Sequence, residues 1–185
     1  MTDRYIDMTN QNEQGFTVLP AGRYISEITG WQEHVKKNNN EVHWIDLRIM
    51  DGDFEGETLR YFQTITEQPR SLGFFSRMIR DLALISEEDR TPEGQLGFKL
   101  QYGPDLEVDR SDETKVRDVI AVLPNGDEDE ARKVIGCQCV AVVEQTTEER
   151  KGHPQEGKTI HQVAFLNAYD GSGPETTSGD DRTWI

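Results

Sequence analysis

The chain has 185 residues and a mass of 21.1 kDa, the size of one core with appendages rather than of two large domains. Apolar residues make up 34% and charged residues 30%, with 16 glycines besides, so a packed core is within reach. The 35 acids and 20 bases leave a formal charge of −15, which excludes a polybasic nucleic-acid or membrane binder at the level of the whole chain.

No run approaches the roughly 18 consecutive apolar residues of a membrane span, and residues 1–14 lack the apolar centre of a signal peptide, so a cytosolic protein is expected. Cys137 and Cys139 stand too close in sequence for an ordinary disulfide and are expected as free thiols. Charge is segregated. Residues 105–130 hold ten acids against three bases, and residues 170–185 four against one, whereas residues 131–169 hold five bases against four acids. This pattern predicts a folded body over 1–170, an insertion at about 97–130, and a flexible acidic tail over 171–185.

In chain order, Pro20-Ala21-Gly22 signals a turn before a first strand from Arg23 to Trp31. Lys36-Lys37-Asn38-Asn39-Asn40 has loop composition. Over Val42 to Met50 the period becomes two: Ile45, Leu47 and Ile49 alternate with Trp44, Asp46 and Arg48, a strand with one buried and one solvated face. A hairpin turn at Asp51 to Gly56 leads into a third strand, Thr58 to Ile65, with Leu59, Tyr61 and Ile65 on one side and Arg60, Phe62 and Thr64 on the other. Ser71, after Pro69, is placed to cap a helix that carries Leu72, Phe75, Met78, Ile79 and Leu82 at helical spacing to about Ile85.

The insertion reads as a short hairpin around Phe98 to Val108, then an amphipathic helix from Ser111 through Leu123 that Pro124-Asn125-Gly126 stops. A short helix over Asp127 to Lys133 precedes a central strand, Ile135 to Glu144, apolar on both faces. A charged loop, Gln145 to Gly157, leads to a last strand, Thr159 to Asn167. The fold expected is therefore mainly β: a five-stranded OB barrel with a helix between its third and fourth strands, an inserted α/β segment and a disordered acidic tail. An α+β meander with the helix on an open sheet fits the same periodicity.

Catalytic patterns are weak. Asp51, Asp53, Glu55 and Gly56 imitate the start of a calcium loop, but its twelfth position is Phe62 where a bidentate acid is needed. Cys137 and Cys139 with His153 and His161 could supply four zinc ligands, yet both thiols sit in an apolar strand. No nucleophile–base pair or phosphate loop appears, and a nuclease-like acid set such as Asp46 with Glu57 is one choice among many. The expectation is no enzyme, no metal and no cofactor.

The stronger constellation is basic and aromatic: Arg23 and Trp31 on the first strand, Trp44 and Arg48 on the second, Arg60 and Phe62 on the third. Exposed aromatics beside arginine suit sequence-tolerant binding of single strands, because every base offers a π-face. Lys36 and Lys37 fall in the first loop, and Arg150, Lys151 and Lys158 in or beside the last, the two loops an OB binder uses. In the tail, Asp180 and Asp181 precede Trp184 and Ile185, the pattern of a peptide that docks in an apolar pocket with a basic rim.

Leu19-Pro20-Ala21-Gly22-Arg23-Tyr24, the hairpin Asp51-Gly52-Asp53-Phe54-Glu55-Gly56-Glu57, the closing Ile135-Gly136-Cys137-Gln138-Cys139-Val140 and Val163-Ala164-Phe165-Leu166-Asn167 resemble the bacteriophage single-stranded DNA-binding proteins with an OB fold. The resemblance spans about residues 18–85 and 134–170. It implies coating of single-stranded DNA in replication or recombination, in the cytoplasm of a bacterial host, with self-association a possibility. The tail is similar to the acidic, apolar-tipped tails by which bacterial single-strand binding proteins recruit replication or recombination partners. It departs from them in the interposed Arg182 and in ending Trp184-Ile185 rather than Pro-Phe. Two other functions remain open at this point: an acidic protein-interaction module, such as a DNA mimic, and a metal-dependent nuclease.

Overall fold

The computed structural model describes residues 18–36, 40–103, 107–109 and 114–171, the middle segment 107–109 by its backbone alone. Its elements are β1 (Gly22–Val35), β2 (Glu41–Ile49), β3 (Thr58–Ile65), α1 (Pro69–Asp81), β4 (Phe98–Tyr102), β5 (Glu107–Asp109), β6 (Thr114–Pro124), β7 (Arg132–Lys133), β8 (Gln138–Thr147) and β9 (Thr159–Ala168). The described residues are mainly β, an antiparallel sheet with one α-helix. Among the described residues no helix is long and apolar enough to cross a membrane.

β1 organises the sheet because it is long enough to serve two partners along one edge. Residues 26–35 pair with β2, while on the other side residues 22–27 pair with β8 and residues 32–35 with β6. β3 continues from β2, and β9 from β8. The ladders leave the sheet open between β3 and β9, although these two strands come into contact.

The inward rows meet α1. Ile28, Trp31, Ile45, Leu47, Ile49 and Leu59 are buried against Phe75, Met78 and Ile79 of the helix. Trp31 is fixed from two sides: its Nε1–H donates to His43 Nδ1 at 3.0 Å, and its ring stands edge-on to Phe75 at 6.4 Å. The helix starts one turn earlier than the Ser71 cap implies, with Pro69 in its first turn where a missing N–H costs nothing. Ser71 serves instead inside that turn, its hydroxyl accepting from Thr66 N–H at 2.9 Å. The helix ends at Asp81, short of Ile85. Ala83 N–H bonds Arg80 O, Leu84 N–H bonds Ile79 O, and Ala83 takes a left-handed φ of 56°, the geometry of a Schellman stop.

The 97–130 segment corrects the expectation of an α/β insertion. Residues 114–124 form the strand β6 rather than a helix, and they pair with β1, β4, β5 and β7; Ser111, the expected cap, lies outside the described residues. Val119, Val122 and Leu123 are buried, so this segment supplies core. It is also tied to β1 by polar contacts. Glu33, fully buried, accepts from Arg117 Nε at 3.2 Å and Nη2 at 2.9 Å and from the Tyr102 hydroxyl. The short helix expected over 127–133 is a 3₁₀ turn, Glu128–Glu130, followed by β7.

Candidate nucleic-acid interface

The outward face of β1, β2 and β3 is read directly from the register. Trp44 stands opposite Phe62 on β3 and Gln32 on β1, while Asp46 stands opposite Arg60 and Gly30. Arg48 stands opposite Glu27, further down the sheet. Phe62 is 54% exposed, a large share for a phenylalanine in mid-strand. Trp44 is half-buried because three neighbours hold it. His34 stacks on it at 3.8 Å between ring centroids and 26° between planes, Phe62 meets it edge-on at 5.6 Å, and the Arg60 guanidinium carbon lies 4.9 Å from its ring centre.

Trp31 does not belong to this face. It is 2% exposed and lies in the core. The cause is a bulge: Ile28 pairs with Leu47 but Gly30 with Asp46, so Thr29 is an extra residue on β1 and the inside–outside alternation inverts beyond it. Arg23, before the bulge, remains exposed, but it stands nine positions along β1 from Gln32, roughly 25–30 Å at strand rise. The structure therefore groups Trp44, Phe62, Arg60 and Arg48 and leaves Arg23 apart. Gln32 and His34, which the sequence reading missed, fall on the Trp44 side of β1 for the reason that removes Trp31, the inverted parity; Gln32 is half-buried there, and His34, stacked on Trp44, is buried.

Both arginines of the group are already engaged. Arg60 donates to Asp46 from Nε at 2.6 Å and from Nη2 at 3.3 Å, and Arg48 pairs with Glu27. Each pair is exposed on the arginine side, so each is worth at most about 1 kcal/mol and exchanges readily for another anion.

The two loops differ. Lys36 is exposed at the end of β1, and Lys37 lies outside the described residues. In the β8–β9 loop Arg150 is committed to the chain itself: it donates to the buried Glu148 from Nε at 2.9 Å and Nη2 at 2.6 Å. That guanidinium, with the Arg150 N–H, holds the Glu148 carboxyl at about 2, below its usual 4.5. Lys151 is exposed and Lys158 half-buried. The tail residues Asp180, Asp181, Trp184 and Ile185 lie outside the described residues.

Neither metal motif is assembled. Cys137 Sγ donates to Lys133 O, Cys139 is buried with its thiol pushed up to about 12, and His161 Nδ1 accepts from Leu19 N–H. Among the described residues the one group of three ligand atoms within reach of a single ion is Glu33, Glu41 and His43. It does not fit a cation. Because His43 Nδ1 accepts from Trp31, the neutral imidazole carries its proton on Nε2, the nitrogen that would have to ligate. Glu33 is moreover satisfied by Arg117 and Tyr102.

A family model described as "Protein of unknown function (DUF669)" matches residues 6–72. The chain is similar to that family there. The matched stretch contains β1, β2 and β3, which carry the candidate face, and the first residues of α1. No curated protein matches the chain.

Proposed function

We propose that this protein binds single-stranded DNA without reading its sequence, through the outward face of β2 and β3, as an OB-fold protein of the bacteriophage type acting in replication or recombination in its bacterial host. The observation that carries the reading is the exposed Phe62 beside Trp44, with Arg60 against the same indole and Arg48 further down β2. Stacking on such a ring contributes about 1–3 kcal/mol per base and is indifferent to sequence, while the arginines exchange Asp46 and Glu27 for phosphate. The barrel assignment is supported by strand order: β1, β2, β3, β9 and β8 follow one another in a circuit whose one non-bonded step is the contact of β3 with β9, and α1 lies between the third and fourth of the five in sequence. Fluorescence anisotropy against labelled oligonucleotides tests it: the expected result is salt-sensitive binding of single strands with duplex bound far more weakly, and equal affinities overturn it.

The carboxylates of Glu27 and Asp46, which neutralise both arginines in the free protein, favour a second reading, an acidic module that binds a protein partner. Absence of binding to any DNA at low salt selects it.

A further inference from the structure

A cleft of about 430 Å³ opens beside α1, away from the candidate face. Its walls are Leu72, Phe75 and Ile79 of the helix, Ile65 at the end of β3, and Leu96 and Phe98 from the entry to β4. Leu72 lies three positions before Phe75 and seven before Ile79 and so continues the helix stripe that elsewhere faces the core, yet it is 53% exposed. The space under it is an unfilled extension of the core. Two charges of opposite sign border it, Arg80 and Glu41. Glu41 is held below the ordinary carboxylate range chiefly by His43, whose Nε2 lies 3.6 Å from its carboxylate, which keeps it charged.

The helix beside this cleft is a basic island in an acidic protein, with Arg70, Arg77 and Arg80 against Asp81 alone. Arg80 pairs with Glu87 at 3.2 Å and Arg77 with Asp81 at 3.7 Å, with all three side chains other than Asp81 half or more exposed, so a better-placed anion can take them. The occupant these features require has a bulky apolar side chain, acids on one side of it and a base that can meet Glu41. Residues 180–185, Asp-Asp-Arg-Thr-Trp-Ile, have that composition.

We propose that residues 180–185 of this chain dock in this cleft within one molecule, Trp184 filling the apolar space, Arg182 meeting Glu41 and the two aspartates meeting Arg80 and Arg77. The chain can reach. Gly171, the last described residue, follows β9, on which α1 packs, and thirteen further residues span up to about 45 Å when extended, against a radius of gyration of about 15 Å for a domain of this size. Arg182, which separates the tail from purely acidic ones, finds a role in this arrangement. The cleft is distinct from the β2–β3 face, so the inference stands whether or not DNA is bound there.

The full-length protein labelled with 5-fluorotryptophan gives ¹⁹F signals from Trp31, Trp44 and Trp184, the last assigned by Trp184→Phe, with a synthetic peptide of residues 174–185 as the undocked reference. Docking displaces the Trp184 signal from the peptide position at every protein concentration. Arg80→Glu and Leu72→Glu return it there, with the Trp31 and Trp44 signals unmoved as proof of folding. Glu41→Arg also returns it, and pairing Glu41→Arg with Arg182→Glu displaces it again. A Trp184 signal that coincides with the free peptide in the wild-type chain, ignores the cleft substitutions, or moves with protein concentration overturns the proposal.

Discussion

Trp31 and Phe62 show how one inserted residue decides what an aromatic side chain can do. Both sit on strands of alternating pattern, but the extra Thr29 turns Trp31 inward to donate to His43, while Phe62 stays outward at 54% exposure. The two substitutions are therefore expected to separate. Trp31→Ala empties a core site and leaves His43 Nδ1 without its donor, lowering stability by about 3–5 kcal/mol in urea unfolding. Phe62→Ala costs single-strand affinity about 1–3 kcal/mol at nearly unchanged stability. The reverse assignment, a stable Trp31→Ala protein and an unstable Phe62→Ala one, would show the register of β1 to be wrong. Asp46 sets the state of the neighbouring cation. Replacing it with Asn removes the carboxylate that Arg60 donates to at 2.6 Å, so Arg60 is expected to take up phosphate more readily. Asp46→Asn should bind single strands more tightly at low salt, with the slope of log K against log salt steeper by about one. An unchanged slope would mean that Arg60 never meets the backbone.

At the level of the elements, the helix stop offers a test with a clear sign. Ala83 occupies the left-handed position at φ 56° where glycine suffers no Cβ clash. Ala83→Gly is expected to raise stability by about 0.5–1 kcal/mol, read as a higher thermal midpoint, because the relief of strain outweighs the added freedom of the unfolded chain; a lower midpoint would place the strain elsewhere. The strands that sequence periodicity located well are those buried on one face only. β2 and β3 run within one residue of their expected bounds because Ile45, Leu47 and Ile49, then Leu59 and Tyr61, point one way without interruption. β6 was illegible for the opposite reason. Ala121, Val122, Leu123 and Pro124 are all buried, which removes alternation, and Ile120 is an extra residue against β4. Val116, Val119, Ile120 and Leu123 are left at spacings of three, four and seven, which imitate a helix. Of the candidate face, Trp44, Arg48, Arg60 and Phe62 followed from alternation. His34 and Gln32 could not, since only the cross-strand register reveals the bulge that sets them on the Trp44 side of β1.

For the whole molecule, the segment between α1 and β8 behaves as part of the body because charge as well as core binds it. Asp89, in the 3₁₀ turn after the helix, accepts from Arg132 Nη1 at 2.8 Å and Nη2 at 2.5 Å and from Ser86 N–H at 2.7 Å, and Arg132 donates as well to Leu84 O. The guanidinium and the Ser86 N–H hold the Asp89 carboxyl at about 2, below its usual 3.8. Glu148 in the β8–β9 loop is lowered likewise to about 2. A carboxylate whose folded pKa is depressed contributes stability that is complete above its unfolded value and is lost as pH falls through the folded one. Both contributions are therefore intact at neutral pH and disappear between about pH 4.5 and 2. Thermal midpoints measured across that window should fall steeply for the wild-type protein. Asp89→Asn should start lower at pH 7, descend less, and meet the wild-type curve below about pH 2, where the wild-type Asp89 is protonated and, like asparagine, uncharged. Two curves that stay parallel down to pH 2 would show that Asp89 and Arg132 gain nothing from each other in the folded chain, and that β6 and β7 are held to the body by packing and by their other polar contacts, Arg117 with Glu33 among them.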